Sequence, residues 1–456
     1  MDAISFGTDG WRATLTEFTS ERVRMVGQAV ATYLRESGAD APVAVGYDAR
    51  ESSPGFAADL AEVLADNGFD VLVPPDDCPT PVVAWTVTDR DLAGALMVTA
   101  SHNPPEYNGV KFVPGDGAPA LPAVTERLEA NLATPESVPA ADRGEVRETA
   151  FVEPYLDHVR AFVDADLDGL GVVYDAMHGS GRDVTGRLLE SCGATVERRR
   201  CDRDPSFGGT PPEPTAERLT GLASAVREGE ATLGIANDGD ADRLAVVTPA
   251  GHVDANLLFA ALYDYLLESA AGDAVRTVST TFLVDRVAAA HGQSVHETAV
   301  GFKWVAEAMR EHGALVGGEE SGGFGITDHL RNKDGVLLAL VVAAAASAEP
   351  IEKRVERLLD EHGEIVQDRT SVDCPDDRKQ AVLTELETRL PDEVAGAEVD
   401  GVNAVDGFKI LLADGSWLLV RPSGTEPKMR VYAESSTEQR VEALLAEGRD
   451  LVAPLI

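Results

Sequence analysis

Two short segments of the chain combine residue types that are suited to phosphoryl transfer. Ser101 stands in the run Thr-Ala-Ser-His-Asn-Pro-Pro that begins at Thr99, and residues 238–242 carry an aspartate at every second position. A hydroxyl is a poor nucleophile unless a base or a metal ion activates it. Three carboxylates in so short a loop repel one another unless a cation holds them. Together the two segments predict a serine that can be phosphorylated and the metal ion that serves it.

The acidic loop favours magnesium as that ion. Its Gly and Ala keep bulk away, so the carboxylates of Asp238, Asp240 and Asp242 can converge on one cation. Hard oxygen ligands suit Mg²⁺, whereas Ca²⁺ usually needs more oxygen atoms than this loop supplies alone. An ordinary acidic turn is the alternative in a chain with 78 acidic residues. Against it stand the neighbouring Arg243 and the strand predicted over residues 232–236, because open α/β sheets bind ligands where their strands end.

The segment around Ser101 is predicted to be an exposed loop. A strand is predicted over residues 92–98, and two consecutive prolines follow the serine at a short distance. Proline disfavours helix at the residue before it, so the backbone here must be extended and rich in turns. An isolated serine in such a turn would usually be an ordinary surface residue.

Two further polar segments begin where a predicted strand ends. Residues 319–321 are Glu-Glu-Ser and are followed by two glycines, which suits recognition of neighbouring hydroxyl groups, although a glycine-rich turn has the same composition. Residues 421–425 combine a guanidinium fork with hydroxyl groups and a glycine that lets backbone N–H groups approach an anion. This second composition is typical of phosphate binding, and a hairpin turn is the alternative.

On these segments the chain resembles the phosphohexomutases, the phosphoglucomutase/phosphomannomutase family. Five segments match in the family's order, and the resemblance covers nearly all of the chain; they are residues 6–12, 99–111, 238–243, 318–323 and 421–427. The resemblance implies an enzyme that moves phosphate between the 1- and 6-positions of a hexose. It also implies a phosphoserine and a hexose 1,6-bisphosphate intermediate that acts as the primer.

The resemblance assigns roles to individual residues. Ser101 is the phosphoserine, and Arg12, His102 and Lys111 act with it at the reaction centre. Mg²⁺ is bound by Ser101, Asp238, Asp240 and Asp242. The substrate-binding residues that the resemblance implies are Arg243, Lys303, Glu319, Ser321, Arg421, Ser423, Gly424 and Thr425. Of these, residues 421–425 form the loop that holds the phosphate group that is not being transferred.

The hexose is predicted from three features of the third quarter of the chain. Residues 301–304 and 332–335 resemble glucose- or mannose-type members of the family, and Gly323 stands where amino-sugar members carry His. These features favour glucose or mannose, and phosphoglucosamine mutase is the alternative. The role of the missing His side chain is lost or replaced at Gly323.

Two functions of other classes are also compatible with parts of the sequence. A metal-dependent sugar phosphatase could use the same serine, but it would need an activated water, and the sequence offers no second cluster of His and Asp to hold another metal. A non-catalytic sugar-phosphate binder would have no need of the serine and the acidic loop together. Both are therefore less favoured than a mutase.

The charge of the chain restricts its partners. It carries 39 basic and 78 acidic residues, a net charge of −39, which argues against nucleic acid or an anionic membrane because both attract basic patches. Such an acidic surface suits a high-salt cytosol, where ions screen charge repulsion. Only seven lysines occur in the chain. Lys111, Lys303 and Lys428 lie in or beside the matched segments, and Lys333 follows the matched segment at residues 318–323. The sequence thus predicts a locally basic cleft for a sugar phosphate.

The cellular compartment is predicted from the cysteines and the apolar runs. The four cysteines lack the spacing of a metal site or a disulfide scaffold, so they are expected to be free thiols in a reducing compartment. No signal peptide is evident. The longest apolar run, residues 336–346, is shorter than the ~20 residues that span a bilayer. These observations predict a cytoplasmic protein with a buried helix at that run.

A weak internal repeat predicts the fold class. Residues 43–49 and 171–176 are β-branched runs that end in Asp-Ala, each followed by a helical stretch, a glycine and a second apolar run, with a looser third copy from residue 277. Strand, helix and strand at this spacing form the unit of a parallel α/β sheet. The prediction is three related α/β domains with mixed or parallel sheets, followed by a smaller α+β domain. Their predicted boundaries are 1–142, 143–250, 251–366 and 367–456.

Overall fold

The computed structural model describes residues 4–7, 9–424 and 426–456. The chain divides into two units. One comprises Met1–Leu258 together with Ser321–Glu352, and the other comprises Phe259–Glu320 together with Lys353–Ile456.

The first unit contains two sheets. The elements of the first sheet and its helices are β1 (Trp11–Thr14), α1 (Ser20–Glu36), β2 (Val43–Tyr47), α2 (Ser53–Asp66), β3 (Val71–Val73), α3 (Thr80–Asp89), β4 (Gly94–Val98), β5 (Tyr107–Pro114), α4 (Pro122–Ala130) and β6 (Val146–Glu148). The strand order is β1-β5-β4-β2-β3-β6. The next elements are α5 (Val152–Val163), β7 (Gly171–Asp175), α6 (Thr185–Ser191), β8 (Thr195–Arg199), α7 (Thr220–Glu228), β9 (Leu233–Asn237), β10 (Leu244–Thr248) and β11 (Gly251–Val253). They form a sheet in the order β11-β10-β9-β7-β8.

The remaining elements follow in chain order. They are α8 (Ala255–Leu267), β12 (Ala274–Thr277), α9 (Leu283–Ala290), β13 (Val295–Thr298), α10 (Phe302–His312), β14 (Val316–Gly318), β15 (Phe324–Ile326), α11 (Gly335–Ala348) and α12 (Ile351–His362), and then β16 (Val366–Asp373), α13 (Asp376–Glu387), β17 (Glu393–Val394), β18 (Ala397–Asn403), β19 (Phe408–Leu412), β20 (Trp417–Pro422), β21 (Lys428–Ser435) and α14 (Glu438–Val452). In the second unit, β12 pairs in parallel with β13 and β14. The C-terminal sheet, in the order β16-β21-β20-β19-β18-β17, is antiparallel.

The predicted repeat is present in three sheets. In each copy the two strands that flank a helix are parallel neighbours: β2 with β3, β7 with β8, and β12 with β13. The fold class predicted from the sequence is confirmed. In the third copy the first strand is Ala274–Thr277. The sequence predicted that this strand begins at residue 277, which is the residue at which it ends.

Three strands lie at or just after the breaks that the sequence predicted, and each of them is an edge strand. β6 extends the first sheet beyond residue 142, and β11 extends the second beyond residue 250. The stretch between residues 363 and 375 contains β16, which pairs with β21 along its whole length. Edge strands are often short and charged, which protects the sheet against pairing with other chains. All three residues of β6 are exposed, so no apolar pattern marks it in the sequence.

The apolar run predicted to be a buried helix is α11. Eleven of its residues are buried, and Asp334 caps its first turn by accepting hydrogen bonds from the backbone N–H groups of Val336 and Leu337. Within the described ranges no single helix is long and apolar enough to cross a membrane. One sharply bent pair, α11 with α12, meets the requirement by length and composition alone.

The acidic composition predicts a strong dependence of stability on salt. With a net charge of −39, the acidic side chains of the folded protein repel one another. Salt screens this repulsion between charges that are farther apart than the Debye length, which is ~10 Å at 0.1 M. We expect the melting temperature to rise steeply as KCl is increased into the molar range. Differential scanning calorimetry in a KCl series measures this directly. A flat or falling curve would remove the high-salt interpretation without bearing on the catalytic residues.

Candidate active site

The loop that carries Ser101 connects two neighbouring antiparallel strands, β4 and β5. The Ser101 backbone has a φ of 50°, and only 1% of the residue is exposed. The predicted exposure of the serine is therefore wrong, although the rest of its loop, residues 102–107, is at least partly exposed. The acidic loop packs directly against it: a Cβ atom on residue 239 would come within 2.5 Å of the Ser101 carbonyl oxygen. Because Gly239 has no Cβ atom, the two loops can approach this closely.

A buried arginine that the sequence analysis missed holds the serine loop in place. The guanidinium of Arg50 donates hydrogen bonds of 2.6 to 3.0 Å to four carbonyl oxygens of the loop, including that of Ser101. Its Nε donates to the carboxylate of Asp48 at 3.0 Å. Both residues follow β2, at the Asp-Ala pair that ends the first run of the internal repeat. That pair was predicted to lie at the carboxyl edge of a parallel sheet, where ligands bind, and this position could have indicated that Asp48 and Arg50 belong to the site.

The acidic loop joins β9 to β10, which pair as an antiparallel hairpin. The carboxylates of Asp238, Asp240 and Asp242 are buried, and one oxygen of each lies within 4.8 Å of the others. The Ser101 hydroxyl donates a hydrogen bond of 2.8 Å to Asp238. Burial, followed by the charges of the two neighbouring aspartates, raises the pKa of Asp238 well above its ordinary value. The serine and the three carboxylates therefore form one site.

The donor atoms of this site fit a magnesium ion. Within the described part of the chain, the Oδ1 atoms of Asp240 and Asp242 are buried and have no hydrogen-bond partner. Buried polar atoms without a partner destabilise a fold unless something compensates them. With Asp238 and the Ser101 hydroxyl, they offer the hard oxygen ligands that Mg²⁺ prefers.

Two buried lysines lie against the acidic loop. The Lys111 ammonium is 2.9 Å from Asp240, 3.1 Å from Asp242 and 2.9 Å from Asp9. The Lys333 ammonium is 2.9 Å from Asp242 and 3.5 Å from Asp9. Burial alone would lower the pKa of each lysine, but the nearby carboxylates raise it above the ordinary value. Both side chains are therefore cations. Asp9 and Lys333 were absent from the predicted site residues.

Arg12 and His102 complete the cluster in the first unit. Arg12, on β1, donates a hydrogen bond of 3.0 Å to an amide oxygen of the serine loop, and its Nη2 lies 3.5 Å from Asp9. The Nδ1 atom of His102 is 3.4 Å from the Ser101 hydroxyl. Burial, with a smaller contribution from Arg243, lowers the pKa of His102 to about 2, so this imidazole is neutral. Arg243 itself is bound through its backbone N–H, which donates to Asp238 at 3.1 Å.

Two of the predicted sugar-binding residues lie in the second unit. Glu319 follows β14 and is 7% exposed, and its Oε1 accepts a hydrogen bond of 2.9 Å from the backbone N–H of Gly301. Lys303 is in the first turn of α10, with its ammonium 5.9 Å from the centre of the Trp304 ring. The loop that the sequence compared with glucose-type members is thus adjacent to Glu319. Ser321, which belongs to the first unit, is exposed.

The predicted phosphate-binding loop follows the buried Arg421 at the end of β20. Its Nε donates a hydrogen bond of 2.8 Å to Asp406. Burial opposes the charge on Arg421, but Asp406 outweighs it and raises the pKa of the guanidinium. Gly424 is exposed, and Thr425 lies outside the described residues.

Two basic residues that the sequence analysis did not select contact this loop. Lys379 donates a hydrogen bond of 2.6 Å to the carbonyl oxygen of Ser423, and Arg430 donates one of 3.3 Å to the Ser423 hydroxyl. The scarcity of lysine in this chain was a signal for Lys379, one of only seven. The loop therefore contacts two cations outside its motif, and these cations are themselves paired with Asp376 and Glu426.

Four domain families match along the chain in order. They are the phosphoglucomutase/phosphomannomutase alpha/beta/alpha domain I over residues 3–138, domain II over 153–251, domain III over 254–364, and the C-terminal domain over 382–451. The chain belongs to the phosphoglucomutase/phosphomannomutase family, and it is an isomerase of the intramolecular phosphotransferase type. The predicted family and enzyme class are confirmed.

Individual relatives span nearly the whole chain. A protein of Methanopyrus kandleri named "Probable phosphoglucosamine mutase" is 35% identical and covers 98% of this chain and 97% of its own length. A phosphoglucomutase/phosphomannomutase of Thermococcus kodakarensis is 33% identical and covers 98% of both chains. The crystal structure of a phosphoglucomutase/phosphomannomutase family protein of Burkholderia thailandensis has the same fold, with a TM-score of 0.86, 24% identity and coverage of 100% and 98%.

The family also informs the cofactor and the ligand class. Its members are magnesium-dependent and act through a phosphoserine, and the buried aspartates of this chain are suitable for the metal. Structural neighbours bind sugar phosphates.

Proposed function

We propose that this protein interconverts hexose 1-phosphate and hexose 6-phosphate, with glucose or mannose as the hexose. The reaction proceeds through a phosphoserine at Ser101 and a hexose 1,6-bisphosphate intermediate, which also serves as the primer. The observation that carries the proposal is the contact of the Ser101 hydroxyl with Asp238 at 2.8 Å, in a buried site with two lysines and an arginine. A serine placed there is next to a metal-binding group and to cations that can stabilise a phosphoryl group.

The proposed reaction has two halves. In the first, the bond between phosphorus and the Ser101 oxygen breaks while a bond to a free hydroxyl of the hexose phosphate forms. The hexose hydroxyl loses its proton and the Ser101 oxygen gains one, and the imidazole of His102, 3.4 Å from the serine oxygen, lies within reach of this transfer. The bisphosphate then turns around, and the second half reverses these bonds at its other end. This return of phosphate to Ser101 leaves the isomerised product.

Positive charge at the reaction centre would come from the metal and from the chain's own side chains. Ser101, Asp238, Asp240 and Asp242 would hold Mg²⁺, which when bound would supply positive charge to the transferring phosphoryl group. The ammonium of Lys111 and the guanidinium of Arg12 add to it. Since Lys111 is held by three carboxylates, its position is fixed before the substrate binds.

The remaining predicted residues bind the parts of the sugar phosphate that do not react. We propose that Glu319 accepts hydrogen bonds from vicinal hydroxyls, with Ser321, Lys303 and Arg243 as further contacts. The loop of Arg421, Ser423, Gly424 and Thr425 binds the other phosphate. Asp406 orients the Arg421 guanidinium, and the cations of Lys379 and Arg430 support an anion there. Because a bisphosphate presents a phosphate at either end, one such loop can serve both orientations.

Phosphoglucosamine mutase is the second candidate, because relatives that cover the whole chain carry that name. Against it stands Gly323, which is buried and leaves no side chain where amino-sugar members carry His.

The cellular compartment and the domain boundaries are also proposals. The four free thiols are consistent with the cytoplasm, which we propose as the compartment. We also retain the four predicted domains as a proposal, with their division at residues 142, 250 and 366 as the predicted boundaries.

The hexose preference makes a testable prediction. In a panel of glucose, mannose, glucosamine and ribose 1-phosphates, with Mg²⁺ and a bisphosphate primer, we expect glucose 1-phosphate to have the highest kcat/KM, with mannose 1-phosphate close behind. Glucosamine 1-phosphate should be at least ~10-fold poorer, about 1.4 kcal/mol of transition-state binding. Glu319→Gln should reduce this difference, because a carboxylate accepts hydrogen bonds from hydroxyls more strongly than an amide does.

Glu320→Gln is the matched control for that variant. It changes the adjacent carboxylate, which accepts a hydrogen bond of 3.3 Å from the Thr277 hydroxyl, and the preference should persist. If glucosamine 1-phosphate is the best substrate of the panel, the protein is a phosphoglucosamine mutase. No conversion of any sugar phosphate in the panel would reject the proposed hexose reaction.

A further inference from the structure

A basic cavity at the edge of the second sheet has no role in the proposed reaction. Its volume is about 450 Å³, and it is lined by Asp175, Glu197, Arg198, Arg199, Arg200, Arg218 and Gly221. None of these residues is among those around Ser101. The strands β7 and β8 are parallel, with Asp175 opposite Arg199, so the cavity lies at their carboxyl ends. Ligands of open α/β sheets bind at this edge.

The charge of the cavity is unusual for this chain. Four guanidinium groups line it against two carboxylates, although the chain as a whole has a net charge of −39. Three of the arginines are consecutive, Arg198 to Arg200. Two of the four carboxylate partners lie outside the lining, so the wall that a ligand would meet presents more guanidinium groups than carboxylates, which favours the approach of an anion.

The carboxylate partners of the arginines leave donors for a ligand. The partners of Arg198 and Arg218 are Glu190 and Glu213, neither of which lines the cavity. Each guanidinium has five N–H donors, more than one carboxylate can use. These two arginines can therefore keep their partners and still donate to an anion.

Arg199 is held more loosely than the others. Its contact with Glu197 is 3.5 Å, whereas Arg200 contacts Asp175 at 2.6 Å. This difference separates the arginines by role. Arg200 fixes the wall of the cavity to β7, and Arg199 is available to a ligand.

The first turn of α7 contributes further donors. The helix begins at Thr220 without a hydrogen bond from a capping side chain, and the first N–H groups of a helix have no partner within the helix. A Cβ atom on residue 221 would lie 3.3 Å from the Arg199 Nη2 atom, so the glycine allows the guanidinium to lie over this turn. Backbone N–H groups and a guanidinium together suit a phosphate group.

We propose that this cavity is a second anion site, which binds a phosphate group through Arg199, Arg218 and the first turn of α7. Its volume is within the range of small-molecule sites in proteins, so the phosphate is either free or part of a small phosphorylated metabolite. The site is separate from the Ser101 centre, and occupation of it requires none of the residues of the proposed reaction.

The test is calorimetric titration of the full-length, Mg²⁺-loaded protein at constant ionic strength, with inorganic phosphate in one arm and glycerol 3-phosphate in the other. The double variant Arg199→Gln/Arg218→Gln should bind at least one of these ligands ~10-fold or more weakly than the unchanged protein. Tighter binding of glycerol 3-phosphate than of phosphate would identify a metabolite as the source, and the reverse order would identify free phosphate.

Arg187→Gln is the control, because Arg187 is an exposed arginine of the same unit, paired with Glu153. It should leave both affinities unchanged. The single variant Arg199→Gln, at a side chain that is 39% exposed, should fold and show the same direction of change. Turnover of hexose phosphate in the absence of these ligands should be unaltered in all three variants. If both affinities are the same in the double variant as in the unchanged protein, or if neither ligand binds, the proposal is wrong.

Discussion

The Ser101→Ala variant should lose nearly all turnover while it still binds sugar phosphate. The hydroxyl is the proposed attachment point of the phosphoryl group, and without it no covalent intermediate can form, so kcat should fall by roughly 1000-fold or more. The substitution removes one oxygen and leaves the Arg50 contacts to the loop backbone in place, so the site should keep its shape. Steady-state kinetics measures kcat, and calorimetry with glucose 1-phosphate measures the remaining affinity.

Ser37→Ala is a suitable control for this experiment. Ser37 lies at the end of α1, where its exposed hydroxyl donates to the Tyr33 carbonyl oxygen, and its removal should leave kcat unchanged. Turnover of the Ser101→Ala variant at the rate of the unchanged protein would show that the reaction does not use a phosphoserine at this position.

Asp240→Asn should weaken Mg²⁺ binding by roughly 10-fold or more and depress kcat further than it depresses sugar-phosphate affinity. Asp240 has one oxygen in contact with Lys111 and Thr80 and the other without a partner among the described residues. An amide there removes a negative charge from the metal site and leaves Lys111 with one carboxylate fewer. Calorimetric titration with Mg²⁺ reports the first effect, and kinetics at saturating Mg²⁺ reports the second.

Asp183→Asn, at an exposed aspartate of the same unit, is the matched control and should bind Mg²⁺ normally. The assignment of the metal can also be tested on the unchanged protein. Full activity in excess chelator would contradict it.

The buried strands of the fold were predictable from the sequence, whereas strands at the edges of the sheets were missed. The repeat of strand, helix and strand was visible because β2 and β7 are apolar along most of their length, as strands inside a parallel sheet usually are. The third copy was placed too late in the chain, because β12 itself contains Arg276 and Thr277. β6, β11 and β16 lie at edges of their sheets. Their polar residues are compatible with a strand that has only one neighbour, and such residues also occur in loops. Composition alone could not distinguish an edge strand from a loop.

The site shows a similar division. Ser101 and the three aspartates were recognisable because they stand close together in short motifs. The burial of Ser101 was not, because it results from packing against a loop more than a hundred residues later in the chain. The partners of Lys111 are equally distant in sequence: Asp9 precedes it by about a hundred residues, and Asp240 follows it by 129. Contacts of this kind depend on the assembled sheets, and spacing along the chain contains no record of them.

The most direct measurement of the central claim is phosphoryl transfer to and from the protein itself. The purified, Mg²⁺-loaded protein is incubated with glucose 1,6-bisphosphate that carries radiolabelled phosphate, and the labelled peptide is identified by mass spectrometry. We predict label on Ser101 and its release, on addition of unlabelled glucose 1-phosphate, as labelled bisphosphate. A protein that acquires no label, or acquires it at a residue other than Ser101, would contradict the phosphoserine mechanism.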